Sequence, residues 1–171
     1  MEMGAFRIGD KIIHPSHGAG VVTEIKELGF FGKKSKPYYW IELLSEPGTV
    51  VMVPVKDADK VGLRHPMSRS QLTRVWHRLR AEPKVLPSDH KERYSVVRTR
   101  IEDGDVLEIA AVLRDLWWKD YSIRKLTTEG KRLYAKGMRL LASEIAVIQD
   151  SELSEAEAQI SETLDEQAEG E

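Results

Sequence analysis

The spacing of apolar residues changes once along this chain, close to Gly62. Before Gly62, short runs with β-branched and aromatic residues end at proline or glycine, a pattern typical of strands. After Gly62, the apolar residues recur every three or four positions, which is typical of amphipathic helices. The sequence therefore predicts an α+β protein, with a small antiparallel β domain over residues 1–64 and a compact all-helical domain over residues 65–171.

Short β runs are predicted in the first domain. They cover residues 11–14, 21–25, 38–44 and 49–53. Pro15 and Pro54 end two of these runs, because proline cannot donate a hydrogen bond to a neighbouring strand. Short strands so close in sequence favour a small barrel or curled sheet.

The second domain is predicted to hold several helices joined by short connections, as in a compact antiparallel bundle. The first covers about residues 68–80. The residues placed to cap the later helices are Asp89, Asp105, Thr127 and Ser154. The side chains expected to face inward include Tyr94, Val97, Ile101, Trp117, Leu133, Leu141, Ala158, Ile160 and Leu164.

Charge is distributed unevenly along the chain. Residues 1–60 carry 8 basic and 8 acidic side chains, residues 61–140 carry 18 and 10, and residues 141–171 carry 0 and 10. A basic middle favours a polyanionic partner, and an acidic C-terminal tail would limit nonspecific binding. The alternative, that these are ordinary charged helix surfaces, remains open at this point.

The sequence predicts neither an enzyme nor a metal or cofactor site. The chain has no cysteine, which excludes thiolate nucleophiles, disulfides and cysteine-ligated metals. His14 and His17 have a spacing that metal ligands use, but Pro15 and Gly18 indicate a turn without a third ligand. The chain has neither a long apolar run nor a secretory signal pattern, so we expect a cytoplasmic protein that does not enter a membrane.

The start of the helix after Asp89 is the surface where chemistry is expected. His90 would lie at the helix N-terminus, where free N–H groups and partial positive charge suit a phosphate. Asp89 and Glu92 oppose this attraction. Nucleic-acid contact and an ordinary capped helix therefore both remain open. The basic residues expected on this helix are Lys91, Arg93, Arg98 and Arg100.

Motifs along residues 5–165 resemble the CarD/CdnL family of bacterial transcription regulators. In the N-terminal part they are Phe6-Arg7-Ile8-Gly9-Asp10-Lys11, His14-Pro15, His17-Gly18, Gly20-Val21-Val22, Val53-Pro54 and Val61-Gly62-Leu63-Arg64. In the helical part they are Arg93-Tyr94, Gly104-Asp105, Ile109-Ala110, Val112-Leu113-Arg114-Asp115-Leu116, Leu140-Leu141 and Glu144. The first set also resembles the polymerase-binding module of the transcription-repair coupling factor.

The resemblance implies a Tudor-like domain that binds the β subunit of RNA polymerase. It also implies a helical domain that contacts promoter DNA, largely without sequence specificity, and stabilises the open complex with an aromatic wedge. His90 stands where the family usually has tryptophan, and Leu28 and Met52 stand where it often has arginine. The polymerase-binding face is expected to be formed or flanked by Leu28, Tyr39, Ile41, Val50 and Met52. The residues expected to face DNA are His90, Lys91, Arg93, Arg98 and Arg100.

Two hypotheses follow from these residues. The first is a monomeric, non-enzymatic regulator that acts with RNA polymerase on the nucleoid and modulates promoter opening. The second is a protein–protein adaptor that keeps the polymerase-type β domain but lacks the DNA wedge. The absent tryptophan and the acidic Asp89 and Glu92 favour the second hypothesis.

Overall fold

Strands occupy the first part of the chain and helices the second in the computed structural model, which describes residues 4–123 and 126–169. The chain divides into two units, Met1–Pro66 and Met67–Glu171. The predicted α+β class is confirmed. The sequence pattern suggests a division after residue 64, close to Pro66.

Unit 1 contains a four-stranded antiparallel sheet in which the strands lie in chain order. The strands are β1 (Lys11–His14), β2 (Gly18–Leu28), β3 (Lys36–Leu43) and β4 (Val50–Pro54). A 3₁₀ turn (Val55–Asp57) and a short helix α1 (Ala58–Val61) follow β4. The backbone of Arg64 then returns to Ile13 of β1, where the two residues exchange hydrogen bonds of 2.8 and 3.2 Å.

The core of unit 1 lies on one face of the sheet. Tyr39, Ile41 and Leu43 of β3 point into it, because every second side chain of a strand faces the same side. The Tyr39 hydroxyl accepts a hydrogen bond from the backbone N–H of Phe6 at 3.2 Å, and the two rings meet edge to face. The other buried residues of this core cluster are Ile12, Val22, Val53, Ala58 and Leu63.

The described residues of unit 2 contain five helices, each of twelve residues or more. They are α2 (Arg69–Arg80), α3 (His90–Glu102), α4 (Val106–Ile123), α5 (Thr128–Gln149) and α6 (Leu153–Glu169). Three predicted caps are confirmed, since a side-chain oxygen of each accepts a hydrogen bond from a backbone N–H of the first turn. The pairs are Asp89 with Glu92, Asp105 with Leu107 and Thr127 with Gly130, at 3.0, 2.9 and 3.2 Å.

The start of α6 differs from the prediction. The helix begins at Leu153, so Ser154 lies in its first turn and does not cap it. Ala156 is buried with Ile160 and Leu164, whereas the predicted Ala158 is exposed. The reason is the earlier start, which lets Ala156, Ile160 and Leu164 form one stripe at a spacing of four residues. The acidic C-terminal segment is therefore an amphipathic helix packed on α5.

Helices α4 and α5 form the centre of unit 2. Most of α4 from Ile109 to Leu116 is buried. Gly137 of α5 faces it closely, because a Cβ atom there would lie 3.1 Å from Leu113 Cδ2. Trp117 was expected in the core but is only half-buried, as is Trp118 beside it.

Candidate functional site

The outer face of the sheet in unit 1 carries exposed apolar side chains. Val50 and Met52 of β4 are 42% and 46% exposed. In the register of β3 and β4, Val50 lies opposite Glu42 and Met52 lies opposite Trp40. These four side chains lie on the face opposite the core, which we call the outer sheet face. Its apolar strip is typical of a protein-binding surface.

Two residues expected at this surface lie behind it. The side chains of Tyr39 and Ile41 are fully buried, so of the two expected roles, forming or flanking the polymerase-binding face, their positions suit only flanking. The reason is the two-residue repeat of a strand, which puts odd-numbered residues of β3 in the core and even-numbered ones on the outer sheet face. Tyr39 and Ile41 flank the surface by holding β3 in place.

Trp40 is a residue of the outer sheet face that sequence reasoning missed. Its half-buried ring lies next to Met52, and the Lys26 amine lies 5.3 Å from the ring centroid. The indole Nε1 is buried and has no hydrogen-bond partner among the described residues. The signal was present in the sequence, because a core assignment for Tyr39 places Trp40 on the other face.

Strand β4 forms one edge of the sheet. Within the described residues, β3 is its one hydrogen-bonded neighbour, so its other side presents unpaired backbone groups. Leu28 lies at the far end of β2, opposite Lys36, and is half-buried. The structure thus brings Val50 and Met52 together, while Leu28 lies where β2 leaves the sheet.

The start of α3 is the second candidate surface. Asp89 caps the helix, and His90 and Lys91 occupy its first two positions with exposed side chains. The His90 ring lies 6.3 Å from the Tyr94 ring. A helix N-terminus with an exposed cation and an exposed imidazole suits a phosphate or a nucleobase.

Arg93 was expected to face DNA, but its side chain is buried. Its side chain is 4% exposed, and its guanidinium donates hydrogen bonds to the backbone oxygens of Pro87 and Ser88 at 2.9 and 2.8 Å. A third contact joins Arg93 Nη1 to His90 Nδ1 at 3.3 Å. Since arginine has no acceptor, His90 Nδ1 is the acceptor in this contact. Arg93 therefore positions the turn before α3 and the His90 ring. Its expected contact with DNA stays a prediction, made of a side chain that this structure buries.

The other two expected cations of α3 are engaged by carboxylates. Arg98 donates to Glu129 of α5 at 2.7 Å, and Arg100 donates to Glu108 of α4 at 2.8 Å. Arg98 stays exposed and Arg100 is half-buried. Their positive charge is therefore partly neutralised, which leaves Lys91 as the cation closest to His90 in sequence.

A buried ionic network holds the segment before α3. Asp115 Oδ1 accepts hydrogen bonds from the Arg114 side chain and from the backbone N–H of Lys84, each at 2.9 Å. Arg114 also donates to the backbone oxygen of Arg78 at the end of α2, at 2.9 Å. Arg114 and Asp115 are each 2% exposed. The Arg-Asp motif of α4 thus fixes the chain between α2 and α3, which leads to His90.

A basic groove runs between α3 and α5. Its cavity has a volume of about 320 Å³, and the cations lining it are Arg98, Arg132, Lys136 and Arg139. The last three recur at a spacing of four and three residues, which places them on one face of α5. Glu102 and Glu129 line the same groove. Sequence reasoning treated α5 only as core, although this spacing of cations is visible in the sequence.

Comparison with known proteins assigns both units. Residues 6–67 match the CarD-like/TRCF RID domain, and residues 74–161 match the CarD C-terminal domain. The chain belongs to the CarD family. The family assignment predicted from the sequence motifs is confirmed. The first match covers most of unit 1 and ends one residue beyond it, and the second lies within unit 2.

The CarD family gives this protein a class of function. It is a transcription regulator of the type that binds RNA polymerase. The family is one of transcription factors and is not a known enzyme family. A relative is "Putative transcription factor YdeB" from Bacillus subtilis (strain 168), 29% identical over 145 residues, which cover 84% of this chain and 92% of YdeB. None of the helices in the described residues is long and apolar enough to cross a membrane.

Proposed function

We propose that this CarD-family protein binds the β subunit of RNA polymerase through unit 1 and contacts promoter DNA through the start of α3. By holding DNA at the edge of the melted region, it modulates the lifetime of the open complex. The protein acts as a monomer without a catalytic step or cofactor, and it is carried to the nucleoid by the polymerase.

The outer sheet face and the β4 edge support the polymerase contact. Val50 and Met52 offer apolar area that the core does not use, and the β4 backbone offers hydrogen bonds to an added strand. The match of residues 6–67 to the RID domain supports polymerase as the partner. An apolar contact by Leu28 and Met52 takes the place of the arginine contacts that the family often uses.

The single observation that carries the DNA contact is the placement of His90. Its ring is the first side chain of α3, is exposed, and is oriented by the buried Arg93. A ring held in one orientation loses little conformational entropy when it stacks on a base step. The imidazole has less area than the tryptophan of many relatives, so its wedge action is weaker.

Open-complex lifetime tests this proposal. We expect His90→Trp to lengthen the lifetime of a promoter complex and His90→Ala to shorten it, each about fivefold or more, because one aromatic–base stack contributes about 1 kcal/mol or more. The measurement is the decay of polymerase–promoter complexes after addition of a DNA competitor. The matched control is His77→Ala, an exposed histidine of α2.

The competing function is the protein–protein adaptor. The observation that favours it is the internal engagement of Arg93, Arg98 and Arg100, which leaves fewer free cations on α3. Under this reading, His90→Trp and His90→Ala both leave the open-complex lifetime unchanged while polymerase binding persists. That result would remove His90 from the mechanism and make the adaptor the better account.

A further inference from the structure

The loop between β2 and β3 exposes two adjacent phenylalanines. Phe31 is fully exposed and Phe30 is 62% exposed. Both lie within the seven-residue loop that follows Leu28 and precedes Lys36. They are the aromatic side chains among the exposed large apolar residues of the described chain. We call Phe30 and Phe31 the aromatic tip.

The conformation of the turn in this loop places the aromatic tip in solvent. The N–H of Lys33 donates to the Phe30 oxygen at 2.9 Å, which closes a four-residue turn. Gly32, the third residue, has a φ of +74°, as a type II turn requires. Phe31 therefore takes the second position, whose side chain projects from the corner. Below the turn, Ser35 Oγ donates to Glu27 at 3.3 Å and ties the loop base together.

Such exposure has a cost in water. A phenylalanine ring contributes a large apolar surface, and folding normally removes it from solvent. Two neighbouring rings on a well-formed turn make a contiguous apolar patch rather than scattered exposure. Aromatic side chains of this kind are the usual anchors of protein interfaces, where they enter pockets on the partner.

The surroundings of the aromatic tip are basic. Lys33 and Lys34 follow it in the loop, and Lys36 begins β3, all three exposed. Lys56 lies against Lys36, and its hydrogen bond and like charge lower the pKa of the Lys36 amine. Crowded lysines around an apolar patch are complementary to a pocket with acidic residues at its rim.

We propose that Phe30 and Phe31 anchor unit 1 on RNA polymerase by entering an apolar pocket whose rim is acidic. This inference rests on the proposed function and adds the residues that determine its specificity. Phe30 follows two positions after Leu28, which is the last residue of β2 and one of the residues proposed to contact polymerase. Exposed lysine and phenylalanine side chains could also bind a membrane or a nucleic acid. The RID match of residues 6–67 favours a protein partner.

The test compares the binding of the full chain and its variants to intact core RNA polymerase. Phe30→Ser with Phe31→Ser removes the aromatic tip from an exposed loop, so the fold is retained. We expect this double variant to bind at least tenfold more weakly. The matched control is Ile8→Ser, which removes a 63% exposed apolar side chain elsewhere in unit 1 and should stay within about twofold of the parent chain.

A second arm tests the acidic rim. Lys33→Glu with Lys34→Glu should weaken binding to the polymerase at least fivefold, and the loss should be greatest at low salt. The control is Lys60→Glu, an exposed lysine of α1, compared with Lys33→Glu alone so that each variant changes the net charge by the same amount. Equal weakening by the control would mean that only the overall charge of unit 1 matters, which overturns the acidic-rim part of the inference.

The outcomes separate this inference from the proposed function. If the parent chain binds polymerase and the Phe30→Ser, Phe31→Ser variant binds equally well, the aromatic tip is not an anchor and the proposed function stands. If the parent chain does not bind polymerase, both fail. If the double variant instead loses affinity only for phosphatidylglycerol vesicles or for a single-stranded oligonucleotide, the partner assigned to the tip is wrong.

Discussion

At the scale of single residues, His14 shows how a histidine can serve the backbone. Its Nδ1 accepts hydrogen bonds from the N–H groups of Ser16 and His17 at 3.1 and 3.3 Å, which hold the turn between β1 and β2. The His17 ring packs against it at 4.7 Å. In the described residues no group of three or more potential ligands surrounds this pair. The sequence prediction of turn residues fits this geometry.

The turn makes the stability of unit 1 depend on pH. Burial, with the nearby His17, lowers the pKa of His14 from 6.5 to about 4. As the pH falls, His14 is therefore protonated near pH 6.5 in the unfolded chain but only near pH 4 in the folded chain. Stability is complete above pH 6.5 and falls between these values, by about 1–2 kcal/mol once solvent screening of the half-buried ring is allowed for.

His14→Asn tests this dependence, because an asparagine oxygen can accept the same N–H groups without titrating. We expect the variant to lose less stability than the parent chain between pH 6.5 and pH 4. The measurement is urea unfolding followed by the NMR signals of β1 and β2. Parallel stability profiles for the two proteins would show that His14 does not carry the effect.

The candidate site could be predicted from sequence only in part at this scale. His90 and Lys91 are exposed because they begin a capped helix, and the cap at Asp89 is readable from the pattern. Arg93 could not be assigned in the same way. Its carbonyl partners at Pro87 and Ser88 belong to an irregular turn, and no periodic pattern predicts how such a turn folds back.

At the scale of elements, strand register decides which of the residues expected at the polymerase-binding face are exposed and which are buried. The aromatic and β-branched runs predict that β3 and β4 exist. They do not predict the face that each residue occupies, because a shift of one residue in register moves every side chain of a strand to the other face. Val50 and Met52 are exposed, whereas Tyr39 and Ile41 are core. A bulge between Val22 and Glu24 adds a shift in β2 that alternation alone would not predict.

The Arg114–Asp115 pair of α4 is expected to carry much of the stability of unit 2. Asp115→Ala leaves the buried Arg114 guanidinium without its carboxylate and the Lys84 N–H without its acceptor. We expect a loss of about 3–5 kcal/mol in the free energy of unfolding, as for other broken buried pairs. Urea unfolding followed by far-ultraviolet circular dichroism measures it, since the long helices lie in unit 2.

The exposed pair Arg98–Glu129 offers a matched comparison. Its oxygen and nitrogen lie 2.7 Å apart, but solvent reaches both side chains. Glu129→Gln should therefore cost no more than about 1 kcal/mol. Equal losses from Asp115→Ala and Glu129→Gln would contradict a dominant role for the buried network.

At the scale of the whole molecule, net charge does not explain a contact with DNA. Residues 67–171 contain 17 basic and 20 acidic side chains, because the acidic α6 belongs to the same unit as the basic residues. Attraction to phosphates must come from local groups, namely the start of α3 and the basic groove along α5. We therefore regard the affinity of unit 2 for free DNA as weak and sensitive to salt.

In the proposed mechanism, polymerase binding compensates for the weak affinity of unit 2 for free DNA. A regulator docked through unit 1 meets promoter DNA at a high effective concentration, so a modest contact at His90 is sufficient. The two-unit organisation was readable from the change in apolar period near Gly62, and the family from its motifs. The central claim is therefore the docking itself.

The most direct test is calorimetric titration of the full chain with a purified N-terminal fragment of the RNA polymerase β subunit. We predict a dissociation constant in the micromolar range or tighter, about 8 kcal/mol of binding free energy or more. Met52→Asp should weaken binding at least tenfold, while Val85→Asp, at a fully exposed position of unit 2, should not. An absence of heat from the parent chain, with both proteins folded, would contradict the account.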